Sequence, residues 1–203
     1  HFIKEYDLAN KNKLNIKTKA GKIIPEIINY NNDNKTSIIK VNLGNPELKN
    51  KDLAINLSEI EEDQHILNHK IKIDDKDFEF NMISMGNPHA VIFLDKDIDE
   101  LNWKDIGSKI ENHSLFPEKT NVEFAKIAGN NKIKLYVWER GAGATLACGT
   151  GAAATVVAAS LNNLVDNRAI VELPGGNLEV EWNNDGVYIK GESRLVFNGK
   201  INV

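Results

Sequence analysis

The chain has 203 residues, 41% of them hydrophobic, a formal net charge of −4 and a single cysteine. This length suffices for one large or two small domains with a packed core, whereas an acidic balance without a basic run argues against nucleic acid or a membrane surface as partner. One cysteine permits no internal disulfide, and no apolar stretch approaches the roughly 20 residues of a membrane span, so we expect a cytoplasmic protein.

The N-terminal part predicts a short helix followed by a β-meander. Residues 1–6 have the apolar pattern of a helix interior without a capping residue before them, so the chain is expected to begin inside an element. Alternating apolar residues predict strands at 14–19, 22–29 and 37–43. The dipeptide Ala20-Gly21 and the polar loop 31–34 are typical of the turns between them.

A faint internal repeat relates residues 13–27 to residues 167–182 when Gly21 is aligned with Gly176. In both parts a helix, a strand, a glycine turn and a second strand follow one another. The pattern indicates an internal duplication, although a short β-rich match also arises by chance. Under duplication, the counterpart of Cys148 is expected upstream of this sequence.

The middle of the chain predicts strands and one amphipathic helix. Residues 65–73 and 78–93 alternate as strands do, interrupted by polar turns. Asp95 is predicted to cap a helix over 98–112, with Trp103 in the core rather than in a binding site.

The stretch 136–160 predicts a strand, a glycine-rich loop, the single cysteine and a helix. Residues 152–161 contain no Gly or Pro and favour a helix, which places Cys148 at or just before its N-terminus. The first amides of a helix lack intrahelical acceptors, so those of Gly149, Thr150 and Gly151 can bind an anion. The same field is predicted to lower the pKa of the Cys148 thiol.

Other interpretations of the cysteine loop differ in strength. A lone cysteine among Ala and Gly is commonly a small buried hydrophobe. A P-loop is excluded, since no Gly-Lys-Ser/Thr follows. The glycine spacing over 149–154 satisfies a dinucleotide-binding turn, but such a turn begins directly after its strand, whereas a loop separates Arg140 from Gly149 here.

Polar residues near the ends of predicted strands complete a candidate site. Asn121 begins a strand predicted over 121–127, and Glu139 and Arg140 end the next. With Asn87 and His89 they supply an acid or base, a guanidinium fork for a carboxylate and two amides. Taken singly, each also has an ordinary role as a turn former, a hydrogen-bonded strand residue or a solvated ion pair.

Three motifs, in this order and spacing, resemble diaminopimelate epimerase: ISMGNPHAVIF, FPEKTNVEF and ERGAGATLACGTGA. The resemblance covers the whole chain, from its first residues, which resemble the segment after the family's first cysteine motif, to GESRLVFNGKINV at the C-terminal end. One departure is Ala144, where the pattern GAGET predicts Glu. The other is the family's N-terminal segment with a second catalytic cysteine, which is expected to precede this chain.

The resemblance implies an α+β fold of two similar halves, each a curved or barrel-like β-sheet around a central helix, with the active site between them. It implies that residues 1–44 are a remnant of a largely missing N-terminal half. Residues 45–195 would be the complete C-terminal half, and 196–203 a strand that returns to the N-terminal half.

The implied reaction is inversion at the α-carbon, converting LL- to meso-diaminopimelate in lysine and cell-wall biosynthesis. One cysteine thiolate removes the α-proton and a second thiol protonates the opposite face, with Cys148 as one of the pair and these 203 residues inactive alone. His89 and Glu139 would adjust protonation as further catalytic residues. The residues implied to bind substrate are Asn87, Asn121, Glu139, Arg140, Gly149 and Thr150.

The resemblance implies no metal and no cofactor, pyridoxal phosphate included. It is compatible with a homodimer. Three alternatives stay open at this point. They are another cysteine-based racemase of the proline-racemase type, a thiol hydrolase that uses Cys148 with His89, and a chain that binds a carboxylate without turnover.

Overall fold

The computed structural model describes residues 1–18 and 21–201, and most of the regular structure there is β-strand. The α-helices are α1 (Phe2–Glu5), α2 (Trp103–Glu111) and α3 (Gly149–Leu161). The strands are β1 (Ile16–Thr18), β2 (Gly21–Ile23), β3 (Glu26–Asn31), β4 (Thr36–Asn42), β5 (His69–Ile73), β6 (Lys76–Ser84), β7 (Pro88–Phe93), β8 (Asn121–Gly129), β9 (Lys132–Glu139), β10 (Gly143–Thr145), β11 (Arg168–Leu173), β12 (Gly176–Asn183) and β13 (Gly186–Arg194).

Contacts within the chain divide it into two compact units. The smaller comprises His1–Asn42 and the residues from Lys190 onward, and the larger is Leu43–Ile189. That the smaller unit is the remnant of a longer half stays a prediction.

The smaller unit contains α1 and two antiparallel hairpins. β1 pairs with β2, with Thr18 opposite Gly21, and β3 pairs with β4. The predicted single strand over 22–29 is wrong, because Pro25 has no N–H to donate to a ladder and lies between β2 and β3. Ala20, predicted to form the first turn, lies outside the described residues.

The chain after β13 has no regular structure as far as it is described. Residues 195–201 form neither helix nor strand, and 202–203 lie outside the described residues, so the predicted returning strand is not seen. Two hydrogen bonds tie this segment to its own unit. The amide of Leu195 donates to the Lys35 carbonyl, and the Tyr6 hydroxyl donates to Asn198.

The larger unit is built on one sheet with the strand order β13-β12-β11-β9-β8-β7-β6-β5, and β10 pairs with β9. The pairs β7–β8 and β9–β11 are parallel. A parallel pair needs a crossover connection, and α2 and α3 lie in these two crossovers. The start of β8 and the loop after β9 are thereby brought next to the start of β7.

Helix α3 is the centre of the larger unit. Its residues 151–159 are all buried, and it contacts β6, β7, β8, β11 and β12. A helix that is apolar on every side must be enclosed, and its Ala, Gly, Thr and Val side chains are small enough for strands to approach closely. The sheet therefore curves around α3 in this unit.

Helix α2 covers a second apolar cluster and is shorter than predicted. A 3-10 turn at Ile98–Glu100 precedes it, and Asp97 caps this turn by accepting from the amide of Asp99. The predicted cap Asp95 is therefore wrong, because the apolar pattern runs through two elements rather than one. Trp103 packs against Phe124 and Tyr136, which confirms its place in the core.

None of the helices in the described residues has the length and apolar character that crossing a membrane requires.

Candidate active site

Cys148 is the N-cap of helix α3, as the sequence predicts. Its backbone is extended, and its Sγ accepts a hydrogen bond from the amide of Gly151 at 3.4 Å. The hydroxyl of Thr150 lies 3.5 Å from the sulfur. Within the described part of the chain, the amides of Gly149 and Thr150 donate to no acceptor. A thiol and two free amides therefore lie side by side at the first turn of the helix.

The pKa of the Cys148 thiol is raised to about 11, so the predicted lowering is wrong. Burial is the largest cause, and the negative charges of Glu123 and Glu139 add to it. The hydrogen bonds from Thr150 and Gly151 act in the opposite direction. Desolvation and two carboxylates outweigh the donors of the helix start, which leaves the thiol protonated at neutral pH.

His89 is fully buried at the start of β7, and both ring nitrogens are engaged. Nδ1 lies 2.7 Å from Oε1 of Glu123, and Nε2 lies 3.1 Å from Oδ1 of Asn87. Asn87 in turn donates from Nδ2 to the Thr150 hydroxyl at 3.4 Å. Three predicted site residues are thus joined to the cysteine through hydrogen bonds.

Glu123 is a site residue that the sequence analysis missed. It lies on β8 between Val122 and Phe124, is fully buried, and contacts no charged group other than His89 at hydrogen-bond distance in the described residues. Burial raises the pKa of Glu123, while His89 lowers it to a smaller extent. An acidic residue directly between two large apolar residues of a predicted strand was the available signal.

Asn121 connects three strands of the site. Its Nδ2 donates to the carbonyl of Pro88 at 2.7 Å, and its Oδ1 accepts from the amide of Arg140 at 2.9 Å. Only 4% of its surface is exposed. Asn121 therefore holds the starts of β7 and β8 against the loop that follows β9.

Glu139 and Arg140 separate rather than pair. Glu139 accepts a hydrogen bond from the hydroxyl of Thr145 at 2.5 Å. Arg140 is exposed and donates from Nη1 to the carbonyl of Glu118 at 3.1 Å. One guanidinium nitrogen is used in this way. The other N–H groups of the guanidinium face no acceptor among the described residues.

Glu111 supports the loop after β9 and was also missed. It is 5% exposed at the end of α2 and accepts from Nε1 of Trp138 at 2.7 Å and from the amide of Gly141 at 2.9 Å. Ala144, which departs from the expected pattern, lies opposite Trp138 on β10 and is exposed.

No group of three or more His, Cys, Asp or Glu side chains among the described residues has the arrangement of a metal site. The site instead consists of a thiol, free amides, a buried histidine–glutamate pair and an exposed guanidinium. Such a set can bind an anion and move a proton beside it.

Two solved structures share the fold. A probable proline racemase from Agrobacterium radiobacter has a TM-score of 0.63 with 13% identity, over 97% of this chain and 65% of that one. A phenazine biosynthesis protein of the PhzF family from Bacillus anthracis has a TM-score of 0.58 with 17% identity, over 97% and 73%. The chain thus shares its fold with a probable proline racemase and a phenazine biosynthesis protein.

The sequence comparisons identify the family. The family model described as diaminopimelate epimerase matches residues 81–196. The diaminopimelate epimerase of Halothermothrix orenii is 44% identical over 99% of this chain and 69% of its own length. The chloroplastic enzyme of Oryza sativa subsp. japonica is 41% identical over 98% of this chain and 56% of its own length. The chain belongs to the diaminopimelate epimerase family and is an isomerase.

Proposed function

We propose that this chain is part of an enzyme that interconverts the LL and meso forms of diaminopimelate, and that Cys148 is one of two groups that transfer the α-proton. The observation that carries the proposal is the position of the thiol beside two free amides at the first turn of α3. Family membership supplies the substrate class, since the relatives are named for diaminopimelate.

The amides of Gly149 and Thr150 suit the α-carboxylate of the substrate. When the α-proton leaves, negative charge moves onto this carboxylate. Donors that are already fixed at a helix start stabilise that charge without having to reorganise. Cys148, one residue earlier, is then next to the α-carbon whose proton it transfers.

The loop after β9 suits the distal end of the substrate. Diaminopimelate carries a second carboxylate and a second ammonium group, and the guanidinium of Arg140 can form two parallel hydrogen bonds to a carboxylate. Asn121 retains one N–H and one lone pair beyond the bonds that it makes. Glu139, held by Thr145, is an acceptor for an ammonium group.

A protonated thiol fits one half of the reaction and needs activation for the other. As a thiol, Cys148 can donate a proton to the carbanion. For the reverse direction it must become a thiolate, and the α-ammonium group of a bound substrate is a positive charge that favours this form.

Inversion requires a proton donor on the face opposite the base. Cys148 is the single cysteine of the sequence. His89 and Glu139 belong to the same unit as Cys148 and are bonded to Asn87, Glu123 and Thr145. We therefore propose a second proton carrier that is not a cysteine of these 203 residues.

The geometry disfavours the thiol hydrolase. Its signature is a cysteine within hydrogen-bond reach of its histidine. Here both nitrogens of His89 face Glu123 and Asn87, and the sulfur contacts Thr150 and Gly151.

Protection of Cys148 from alkylation tests the proposal. Because the chain has one cysteine, the mass shift after iodoacetamide treatment reports this residue alone. We expect LL-diaminopimelate to slow alkylation in a saturable way, and L-proline and L-lysine to have no effect. Equal protection by L-proline would favour a racemase of that type, and no protection by any of the three would contradict the proposed site.

A further inference from the structure

The structure assigns Glu123 a role as a positioning residue: it shares one proton with His89 and, through the hydrogen-bonded chain Glu123–His89–Asn87–Thr150, sets the protonation of Cys148. The inference rests on the proposed function only for its catalytic meaning, since the thiol can be titrated without substrate.

Donor and acceptor chemistry determines where the protons lie in this chain. Asn87 donates from Nδ2 to Thr150, so its carbonyl oxygen Oδ1 faces His89. A carbonyl oxygen only accepts, and Nε2 of His89 must therefore carry a hydrogen. The hydroxyl of Thr150, which accepts from Asn87, has its own hydrogen free for the sulfur of Cys148.

The other ring nitrogen then fixes the proton count of the buried pair. Nδ1 of His89 lies 2.7 Å from Oε1 of Glu123, which requires one proton between them. Either an imidazolium faces a carboxylate, or a neutral imidazole faces a carboxylic acid. In both forms the pair has no net charge, and both side chains are fully buried.

Burial makes the loss of this shared proton costly. Oε2 of Glu123 has no hydrogen-bond partner among the described residues, so a full negative charge on the pair would be poorly compensated. Burial correspondingly raises the pKa of Glu123. The pair thus retains a proton where an exposed carboxylate has none.

Glu123 is close enough to the thiol for its charge to matter. Helix α3 approaches β8 at Gly151, where an added Cβ would lie 2.7 Å from Oε1 of Glu123 and 3.3 Å from Sγ of Cys148. The titratable groups that face the sulfur are Glu123 on β8 and Glu139 at the end of β9, with His89 on β7 behind Glu123. While the pair keeps its proton it has no net charge, so the negative charge of Glu123 opposes the thiolate fully only after that proton is lost, in addition to the charge of Glu139.

Alkylation of Cys148 as a function of pH tests this role. In the parent chain the thiol and the shared proton titrate as coupled groups, so reactivity should rise over more than the roughly 2 pH units of an isolated group. Glu123→Gln keeps the size and a hydrogen bond to His89 but cannot become negative. We expect a single-group curve with its midpoint about 1 pH unit lower.

The matched control is Glu79→Gln, which removes the same formal charge from an exposed position on β6 and should leave the curve unchanged. Thermal unfolding followed by circular dichroism establishes that each variant is folded. If folded Glu123→Gln has the midpoint and width of the parent chain, the inference is overturned.

A second measurement requires no variant at position 123. In the 15N-labelled parent chain, NMR should find a hydrogen on Nε2 of His89 at neutral pH, with the resonance assigned by its loss in His89→Gln. A neutral His89 protonated only on Nδ1 would overturn the inference even if Glu123→Gln failed to fold.

Discussion

The side-chain oxygen of Asn121 accepts a hydrogen bond from the backbone amide of Arg140 at 2.9 Å. The same side chain donates to the carbonyl of Pro88 at 2.7 Å. One buried amide therefore fixes the spacing between the turn that holds Asn87 and the loop that holds Arg140. The position of the guanidinium relative to the buried pair depends on this bridge.

We predict that Asn121→Ala lowers the free energy of unfolding by about 2 to 4 kcal/mol, because two backbone groups lose their partner in a buried place. Urea denaturation measures the effect. Asn112→Ala is the control, since Asn112 is exposed and makes a hydrogen bond to the Ser108 carbonyl of its own helix. Equal losses of unfolding free energy in the two variants would show that the Asn121 hydrogen bonds stabilise the fold no more than an exposed hydrogen bond does.

We predict that stability falls between pH 9 and pH 11 because of Cys148. The thiol pKa is raised from 9.0 to about 11 on folding, so the unfolded chain loses this proton first as the pH rises. The contribution is fully present below pH 9 and is lost by pH 11, and amounts to about 2 to 3 kcal/mol. Between pH 9 and pH 11, the melting temperature of the parent chain should fall relative to that of Cys148→Ala, whereas below pH 9 the difference between them should stay constant. Parallel curves would contradict the raised pKa.

We predict that Gly107→Ala destabilises the larger unit by about 1 to 3 kcal/mol. A Cβ at this position would lie 2.8 Å from Cβ of Trp138, which is closer than side chains pack. Alanine favours a helix by about 1 kcal/mol over glycine, and this gain is smaller than the cost of separating α2 from β9. Ser108→Ala, one residue further along α2, is the control. An increase in melting temperature for Gly107→Ala would show that Trp138 can move away from the added methyl group at little cost.

We predict that these 203 residues alone do not convert LL- to meso-diaminopimelate. Stereoinversion needs a second proton carrier, and Cys148 is the single cysteine. The measurement is incubation with LL-diaminopimelate in deuterium oxide, followed by chiral separation and proton NMR of the α-position. Formation of the meso isomer in proportion to protein concentration, lost in Cys148→Ala, would mean that water or another group supplies the second proton.

We predict that Cys148→Ser lowers the rate of an active form of the protein by at least two orders of magnitude, the usual scale for loss of an acid or base. Steady-state kinetics with both isomers measures this loss. Thr145→Ala, which removes only the hydrogen bond to Glu139, should cost far less. A Cys148→Ser enzyme within tenfold of the parent would remove Cys148 from the proton transfer.

The sequence predicted those features that depend on neighbouring residues. The helix start at Cys148 follows from glycines and alanines within one turn, and the structure confirms it. The predicted start of a strand at Asn121 and the predicted end of the next near Glu139 agree with the structure, because each strand could be recognised by its own alternation. The split of the predicted helix at 98–112 escaped prediction, since the apolar pattern is continuous across the break.

The order of most helices and strands along the chain, and the local chemistry of the motifs, were thus determined by the sequence alone. Only the tertiary structure decided how the site is charged. Glu123 meets His89 across two strands, and helix α3 seals both from water, so desolvation and two carboxylates outweigh the amides that a helix start provides. Burial and contacts between distant segments set these energies, and a local pattern carries no measure of either.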